Sequence, residues 1–254
     1  MKKYELTEET KVIDGKTLFR IRALRSFGDI KAGDLGGFIE NERNLSHEGN
    51  AWVEDNARVD GDARVDGDAW VGGDAWVGDN AQVGGNAQVG GDAWVDGNAR
   101  VGGYARVNGN AWVREYARVR EYARVGGYAR VDGNAWVSGN AWVSGNARVS
   151  GDARVSGNAW VREYARVGGY ARVSGDGLIN SNNDYLCEKG LGSHNRSASF
   201  FKCKDGHIHV LCGCFSGNLD EFENKVKEEH GNSKYAKEYL GFIEVVKTHF
   251  EVRQ

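Results

Sequence analysis

The sequence predicts an all-β solenoid of parallel strands with a small α+β domain at its C-terminal end. Residues 51–176 read as 21 consecutive hexapeptides without an insertion or deletion, and every hexapeptide begins Ala-x-Val. Self-similarity at a fixed short period decides the architecture of such a chain. The 254-residue chain also contains no proline, a residue that cannot donate a hydrogen bond to a β-ladder. After residue 182 the repeat stops and the composition changes abruptly.

Each hexapeptide is interpreted as one short strand followed by one corner. Ala and Val are two residues apart, so they point to one face of the strand, and the residue between them points to the other face. The small and the branched apolar side chains therefore fill the interior. The sixth residue is Asp, Asn or Tyr and usually follows Gly. Asp, Asn and Gly tolerate the left-handed backbone conformation of a sharp corner.

This pattern resembles that of the hexapeptide-repeat superfamily. Members of the superfamily form left-handed parallel β-helices with three hexapeptides, or 18 residues, in each triangular coil. The entry segments Leu35-Gly36-Gly37-Phe38-Ile39-Glu40 and Asn44-Leu45-Ser46 also resemble bacterial and prophage proteins of the YdcK-like type. Residues 44–50 and 177–182 look like degenerate repeats. The resemblance therefore implies a left-handed β-helix of about eight coils.

The outward residue between Ala and Val is Trp, Arg or Gln in all 21 repeats, and all eight Trp residues of the protein occupy this position. With 18 residues in a coil, residues 18 apart stack one ladder spacing, about 4.8 Å, from each other. We therefore expect Trp76, Trp94 and Trp112 to form a continuous stack with Arg58 and Arg130 at its ends. A second column supplies four further candidate binding residues: Trp52, Trp70, Trp142 and Trp160.

Three interpretations of these columns stay open. In the first, Trp and Arg are flat side chains that only pack on one another across the β surface. In the second, the columns join subunits, because Trp and Arg are enriched at interface hot spots. In the third, they bind a foreign ligand, because contiguous exposed apolar patches mark contact sites.

The corners and the charges change along the predicted rod. Tyr enters the corners only after residue 98, and we expect those corners to use a different turn because Tyr is a poor left-handed residue. Tyr104 and Tyr122 are 18 residues apart and should stack. Residues 51–98 contain ten acidic residues and two Arg, whereas residues 99–176 contain six acidic residues and twelve Arg. This polarity is either drift among solvated positions or a device for head-to-tail or antiparallel pairing of rods.

The chain divides into three segments: an N-terminal cap at residues 1–44, the solenoid at residues 45–182 and the α+β domain at residues 183–254. A solenoid exposes sheet edges at both ends, which a cap must cover. In the first segment, strand-like stretches flank Asp14-Gly15, which is a hairpin signal.

The C-terminal segment combines strand and helix signals. Two strand-like stretches, residues 197–201 and 207–211, flank the turn Asp205-Gly206. Apolar residues at helical spacing then predict two helices over residues 219–229 and 233–250.

Acyl transfer is the enzymatic alternative, because many members of the superfamily that the repeats resemble are acyltransferases with a catalytic His on or near a loop that breaks the coil. The 21 regular repeats contain no His, Lys or Cys, and no loop interrupts them. A general base must lie within hydrogen-bond reach of its substrate. His47 is the sole candidate near the repeats, and we therefore predict a protein that is not an enzyme.

Six potential metal ligands lie close together in the C-terminal segment. His-x-His and Cys-x-Cys spacings each place two side chains on one strand face, and four such ligands could hold zinc. The segment lacks a Cys-x-x-Cys knuckle, however, and free Cys is among the most buried residue types. We therefore predict buried thiols, with no bound metal and no cofactor. The six residues are Cys187, Cys203, His207, His209, Cys212 and Cys214.

The overall charge and the lack of an apolar leader guide the functional prediction. The net charge of -3 argues against non-specific affinity for nucleic acid or anionic membrane. The start of the chain has no apolar stretch of a signal peptide, and no run approaches the roughly 18 apolar residues of a membrane span. We expect a cytoplasmic location in a bacterial host cell, and a virion would also fit.

The predicted function is a non-catalytic scaffold or binding protein of phage or prophage type. We expect it to form a homo-oligomer, and the resemblance favours a trimer over a dimer. We also expect it to engage a protein partner, such as a host factor, through the Trp/Arg columns or the C-terminal domain. The alternative from another functional class is a small-ligand binder for a nucleotide or a glycan, because aromatic faces stack on bases and sugars.

Overall fold

The computed structural model describes residues 2–251, and its N-terminal strands lead directly into a β-solenoid. Strands β1 (Tyr4–Ile13) and β2 (Lys16–Ala23) form the predicted antiparallel hairpin around Asp14-Gly15. Strand β3 (Leu35–Ile39) pairs antiparallel with β2 on one edge and parallel with the first strand of one solenoid face on the other. The hairpin therefore extends a solenoid sheet and covers its first edge.

Each regular repeat contributes one two-residue strand, so that β4–β24 follow one another every six residues. Residues 18 apart pair in parallel register, as predicted, and the resulting three sheets are named face 1, face 2 and face 3. Face 1 contains Trp52–Val53, Trp70–Val71, Gln88–Val89, Arg106–Val107, Arg124–Val125, Trp142–Val143, Trp160–Val161 and, as β25, Leu178–Ile179. Face 2 contains Arg58–Val59, Trp76–Val77, Trp94–Val95, Trp112–Val113, Arg130–Val131, Arg148–Val149 and Arg166–Val167. Face 3 contains Arg64–Val65, Gln82–Val83, Arg100–Val101, Arg118–Val119, Trp136–Val137, Arg154–Val155 and Arg172–Val173.

The interior of the solenoid consists of the Ala and Val side chains that the repeat placed there. Every repeat Ala is fully buried, and no repeat Val is more than 2% exposed. Burying a Val side chain stabilises a fold by about 1.5–3 kcal/mol. The small Ala leaves room for the chain to turn between neighbouring sheets. The prediction of a parallel β-solenoid of about eight coils is thereby confirmed.

Every corner turns at the fifth residue of its repeat, whose φ lies between 55° and 68° in all 21 repeats. The expectation that the Tyr corners use a different turn was therefore wrong, because the left-handed residue is the fifth of the repeat and Tyr is the sixth. The sixth residue does not adopt the left-handed conformation. Tyr and Asn are therefore both accepted there, and their corners have the same geometry. The fifth residue is Gly in sixteen repeats and an acidic residue in five: Asp55, Asp79, Glu115, Glu121 and Glu163.

Polar side chains complete the N-terminal edge of the solenoid. Lys3 is fully buried, and its ammonium donates to the carbonyl oxygen of Ala51 at 2.7 Å, ahead of the first strand of face 1. Asn44 is also fully buried and donates to the carbonyl oxygen of Ala63 at 2.9 Å, ahead of face 3. Leu45 forms a parallel bridge with Val65 beside it. These contacts satisfy backbone groups that an open sheet edge would leave unpaired.

The C-terminal domain is an antiparallel sheet with two helices. It consists of β26 (Tyr185–Leu191), β27 (Arg196–Lys202), β28 (Ile208–Cys212), β29 (Phe215–Asn218), α1 (Leu219–His230) and α2 (Lys234–His249). The sequence predicted β27, β28 and both helices, but not β26 or β29, which have weaker apolar patterns. No helix within residues 2–251 is long and apolar enough to cross a membrane.

The two faces of this sheet have different partners. Phe201 and Leu211 belong to the hydrophobic core of the solenoid, whereas Phe200 and Val210 belong to a second core beneath the helices. The run Ala198–Phe201 is buried throughout because its sheet is covered on both sides. The sheet therefore closes the end of the rod.

Side chains also accept hydrogen bonds from the last strands of the solenoid. The backbone N–H of Arg166 donates to Asn182 Oδ1 at 2.8 Å on face 2, and that of Arg172 donates to Ser199 Oγ at 2.8 Å on face 3. On face 1 the last coil continues through residue 177 to β25. Faces 2 and 3 thus each end at a specific side-chain acceptor, and face 1 ends at β25.

The buried Lys3 makes a testable contribution to stability. Burial lowers the pKa of Lys3 from 10.5 to about 8, with the charge of Arg25 acting in the same direction. Between these two pH values the unfolded chain binds more protons than the folded chain, so this group makes the free energy of unfolding rise as pH rises from 8 to 10.5. Relative to Lys3→Met, the wild type should gain on the order of 3 kcal/mol across this window.

Urea unfolding at several pH values measures this difference directly. Lys2→Met serves as the control, because Lys2 is exposed on the adjacent position of the chain. A difference between wild type and Lys3→Met that stays constant with pH would show that Lys3 is not buried as described.

Candidate binding surface

The Trp column of face 2 has the order that the 18-residue spacing predicted. The Trp94 and Trp112 rings stack at 5.3 Å with an interplanar angle of 11°, whereas Trp76 meets Trp94 edge-to-face at 5.1 Å. Arg58 lies over the Trp76 ring at 5.7 Å, and Arg130 lies over the Trp112 ring at 4.4 Å. The five predicted residues therefore form one continuous, half-buried column, with an edge-to-face contact at one of its steps.

Two indoles lie flat on the rod and do not project from it. The Trp76 ring covers Gly78, where no side chain would fit, and its Nε1 donates to Asp60 of the preceding coil at 2.6 Å. Trp70 on face 1 donates in the same way to Glu54 at 2.6 Å. Both Trp residues have a carboxylate sixteen residues earlier and a Gly two residues later, whereas Trp112, which has Asp96 sixteen residues earlier, is followed by Arg114 in place of that Gly. This packing supports the self-packing interpretation for these two side chains.

The column of face 1 does not form a single accessible surface. Trp52 is only 2% exposed, because Tyr4 and Phe27 of the N-terminal segment pack against its ring. Its inclusion among surface residues was therefore wrong, since the outer side of the coil is covered there. Trp142 is 41% exposed and meets Trp160 edge-to-face at 5.7 Å.

The most exposed aromatic side chains of the rod are Tyr residues at the corners. Their exposed fractions range from 48% to 75%, and all of them belong to the Arg-rich half of the repeats. None of them is among the binding residues that the sequence predicted. The signal was available, because the sixth position of a repeat lies outside the core at a corner. These residues are Tyr104, Tyr116, Tyr122, Tyr128, Tyr164 and Tyr170.

A groove on face 3 lies beside two of these Tyr residues. Tyr104 and Tyr122 stack at 5.1 Å with an interplanar angle of 4°, which confirms their predicted contact. They line a cavity of about 630 Å³ together with Arg100 and Arg120. Gly102 keeps the groove open because it has no side chain. Neither its backbone conformation nor its surroundings require Gly there, since an added Cβ would have only one neighbour, at 3.9 Å.

The acidic residues at the fifth positions connect successive coils. Glu121 accepts a hydrogen bond from the backbone N–H of Gly139, one coil further on, at 2.7 Å, and Glu115 accepts one from Gly133 at 2.9 Å. Asp79 makes the same contact with Gly97 at 3.2 Å. These carboxylates compensate for the left-handed conformation of their own backbone by satisfying a donor in the next coil.

Arg114 separates two acidic side chains on the edge of face 2. Burial raises the pKa of Asp96 and of Asp132, and the charge of Arg114 opposes both shifts. Nη2 of Arg114 lies 3.8 Å from Asp132 Oδ2, and its guanidinium also lies 4.8 Å from the centre of the Trp112 ring. The middle of the rod thus holds a cluster of partly desolvated charges.

His47 lies within the N-terminal contacts of the solenoid. Its ring stacks on Tyr4 at 4.4 Å, its Nδ1 accepts a hydrogen bond from the backbone N–H of Lys3 at 3.2 Å, and its Nε2 lies 3.7 Å from Glu42. Nδ1 is therefore hydrogen-bonded, whereas Nε2 is buried without a hydrogen-bond partner within residues 2–251. This arrangement makes His47 a packing residue of the cap.

Three of the six potential metal ligands come together in the C-terminal domain. Cys203, His207 and His209 each place one ligand atom within 4.8 Å of the other two. Cys212 instead lies in the core beneath the helices, and Cys214 is exposed. Burial, together with the charges of Asp205 and Asp176, raises the pKa of Cys203 to about 11.

Comparison with known proteins supports the repeat architecture. A family model described as the YdcK β-solenoid repeat matches residues 141–157 and 147–163, both within the regular repeats. No curated protein matches the chain. The similarity to this family is therefore one of repeat sequence over a short part of the solenoid.

The stability effect of a substitution at residue 121 should depend on two features of Glu121, its left-handed backbone conformation and its carboxylate. Glu121 has φ 58° and accepts the N–H of Gly139. Glu121→Ala should destabilise the protein by about 1 kcal/mol, because it removes the acceptor and keeps a Cβ in the left-handed region. Glu121→Gly should be less harmful than Ala, because Gly adopts this conformation without strain. Urea unfolding of both variants measures the order.

Glu163 provides the matched control. It has φ 59°, but the residue one coil further on, Ser181, donates its backbone N–H to Asp184. Glu163→Gly should therefore stabilise the protein by a few tenths of a kcal/mol or more. If Gly and Ala were equivalent at both positions, the left-handed corner would not limit the choice of residue there.

Proposed function

We propose that the protein is a non-catalytic, self-associating rod, and that two copies pair antiparallel through face 2. The proposal depends on one observation. Along face 2, after Arg58, a block of three Trp side chains is followed by a block of three Arg side chains. An antiparallel partner presents these blocks in the opposite order, so each block meets the other.

The charges of the rod favour this orientation over a parallel assembly. Residues 51–98 have eight more acidic residues than Arg (ten against two), and residues 99–176 have six more Arg than acidic residues (twelve against six). Parallel subunits, as in the trimer that the resemblance implied, would place like charges at the same level. An antiparallel pair places opposite charges at the same level at both ends, and such a contact is self-complementary about a two-fold axis.

The register follows from the position of Trp112. This residue lies in the eleventh of the 21 repeats, so a two-fold axis at its level makes the two rods overlap completely. Trp94 then faces Arg130 of the second copy, and Trp76 faces Arg148. Such pairs contribute about 0.5–1 kcal/mol each at exposed sites and more when desolvated. Only the outermost level, Arg58 with Arg166, brings like charges together.

The other two faces lack this complementarity. The middle position of face 1 is Arg106, and that of face 3 is Arg118, so the same rotation would place each Arg against itself. Face 3 would also oppose Arg64 to Arg172. Like charges that are placed opposite each other at an interface oppose association. Face 2 is therefore the surface that fits a second copy.

The residue types of the repeats support a non-catalytic role, because they offer no imidazole, amine or thiol. The 21 repeats contain no His, Lys or Cys, and His47 is engaged by Tyr4 and Lys3. Faces 1 and 3 would stay open in the pair, and a protein partner, such as a host factor, would bind there. The phage or prophage origin that we propose with this role is based on the resemblance of the repeats alone. We also propose a cytoplasmic location.

A small-ligand binder is the second candidate function, and the groove on face 3 favours it. The stacked Tyr104 and Tyr122 rings offer an aromatic wall, and Arg100 and Arg120 offer cationic donors. A nucleotide or a glycan would use both kinds of contact. The groove is on a different face from the proposed pairing surface, so the two functions are compatible.

The pairing proposal predicts a salt-sensitive dimer. Sedimentation velocity and light scattering should give twice the chain mass at micromolar concentration, with dissociation increasing as salt is added. Arg148→Glu should weaken the dimer at least about tenfold, because it replaces a cation that faces Trp76 and the acidic half of the partner. Arg154→Glu is the matched control, since this Arg is exposed at the same level on face 3.

Small-angle X-ray scattering should show a dimer of about the same length as a single chain, since the two rods overlap completely. A monomer, a parallel trimer or an end-to-end dimer would each contradict the proposal. An equal effect of Arg148→Glu and Arg154→Glu would place the interface elsewhere.

Removing the Trp column of face 2 should abolish pairing without unfolding the protein. Replacing Trp76, Trp94 and Trp112 together by Thr opens no internal cavity, and each replacement should cost about 0.2–1 kcal/mol, as surface pairs do. We expect a folded triple variant by circular dichroism that is monomeric by light scattering. Trp136→Thr on face 3 is the control. If the triple variant unfolds, the column serves the fold; if it stays dimeric, face 2 is not the interface.

A further inference from the structure

Three metal-ligating side chains meet where β27 and β28 join at the end of the rod. Cys203 donates its backbone N–H to the carbonyl oxygen of His207 at 2.9 Å, and Phe201 pairs with His209. Cys203, His207 and His209 therefore lie on one face of the hairpin, with one ligand atom of each within 4.8 Å of the others. We propose that these three residues bind a zinc ion.

The donor set fits zinc better than other common metals. One thiolate and two imidazoles are ligands that zinc accepts in tetrahedral sites, whereas magnesium and calcium require oxygen donors. Zinc bonds of about 2.0–2.3 Å imply ligand atoms about 3.3–3.6 Å apart in a tetrahedron. No two of the three atoms therefore need to approach each other by more than about 1.5 Å. His207 is exposed in the turn, so its side chain is free to make this movement.

Both imidazoles already have the outer partners that orient a metal ligand. Nδ1 of His207 lies 2.5 Å from Asp205 Oδ1, and Nε2 of His209 lies 2.9 Å from Ser216 Oγ. Each ring thereby keeps its second nitrogen for the metal, Nε2 in His207 and Nδ1 in His209. The Phe201 ring packs against His209 at 5.3 Å and holds its plane. Such outer contacts are a regular feature of histidine ligands in metal sites.

The charges around the cluster also favour a cation. Asp176 and Asp205 act electrostatically on Cys203, and Glu221 acts on His209. Lys204 is the nearby cation, and its ammonium lies 3.7 Å from Asp176 and 4.5 Å from the centre of the Trp160 ring. A divalent ion would therefore enter a site whose surrounding carboxylates outnumber its cations.

The fourth position of the zinc would face solvent. His207 and His209 line a cavity of about 680 Å³ that also borders the first residues of α1. Cys203 lies on the opposite, buried side of the cluster. Zinc that is held by three protein ligands carries water or an external ligand at the fourth position. The metal would thus join the two strands of the hairpin at their turn while staying accessible to chelators.

Elemental analysis tests the site on the full-length protein. Samples are equilibrated with zinc chloride, passed through a desalting column and analysed for zinc. The wild type should retain about one zinc per chain, and Cys203→Ser should lose it. Cys212→Ser is the matched control, because this cysteine is equally buried but lies under the helices. Cobalt in place of zinc should give a thiolate-to-metal absorption band in the wild type and in Cys212→Ser only.

A second variant covers the case in which Cys203→Ser does not fold. His207 is exposed, so His207→Ala should keep the circular dichroism spectrum of the wild type and still bind zinc at least about tenfold more weakly. A wild type that retains no zinc, or variants at residues 203 and 207 that retain as much as the wild type, would overturn the proposal. An equal loss in Cys212→Ser would likewise contradict it, because it would place the metal elsewhere.

Discussion

The hydrogen-bonded stacking of each residue on the residue 18 positions further on is the constraint on which this structure depends. Neighbouring coils are joined by backbone hydrogen bonds of nearly constant length, as in Trp94 N to Ala111 O at 2.9 Å and Arg100 N to Ala117 O at 2.9 Å. A shift by one residue within a strand would exchange its inner and outer side chains. The ladder therefore keeps Ala and Val on the inner side of all 21 repeats.

Because of the same constraint, the neighbours of a side chain on the outer surface can be predicted from its position in the sequence. A side chain at an outer position has as its neighbours the residues 18 before and 18 after it, together with nearby positions of the same coils. For this reason Trp76 donates a hydrogen bond to Asp60 of the preceding coil, and Glu121 accepts one from Gly139 of the following coil. Surface columns can therefore change from Trp to Arg along one face without any change in the interior. The proposed pairing depends on this freedom, because the complementarity of two copies comes from the order of Trp and Arg along face 2.

The ends of the rod obey different rules, because a ladder that repeats must also stop. At the first end a buried ammonium and a buried amide, from Lys3 and Asn44, occupy open backbone groups. At the second end Asn182 and Ser199 accept the last unpaired N–H groups of two faces. The proposed zinc site lies beside this second closure, in the hairpin whose Phe201 packs on the final coil. The chemistry that the repeats lack is therefore concentrated in the segments that terminate them.

Periodicity alone determined the solenoid, its interior and the neighbours along each column, because these depend only on which residues are 18 apart. The contacts of Arg58, Trp94 and Arg130 could be read in this way. Tertiary structure decided whatever depends on segments outside the period. The burial of Trp52 under Tyr4 and Phe27, the closure by Asn182 and Ser199, and the meeting of Cys203 with His207 and His209 have no spacing rule that foretells them. The conformation of the corners also became clear only from the structure. The left-handed residue is the fifth of each repeat, whereas the variation among Asp, Asn and Tyr occurs at the sixth.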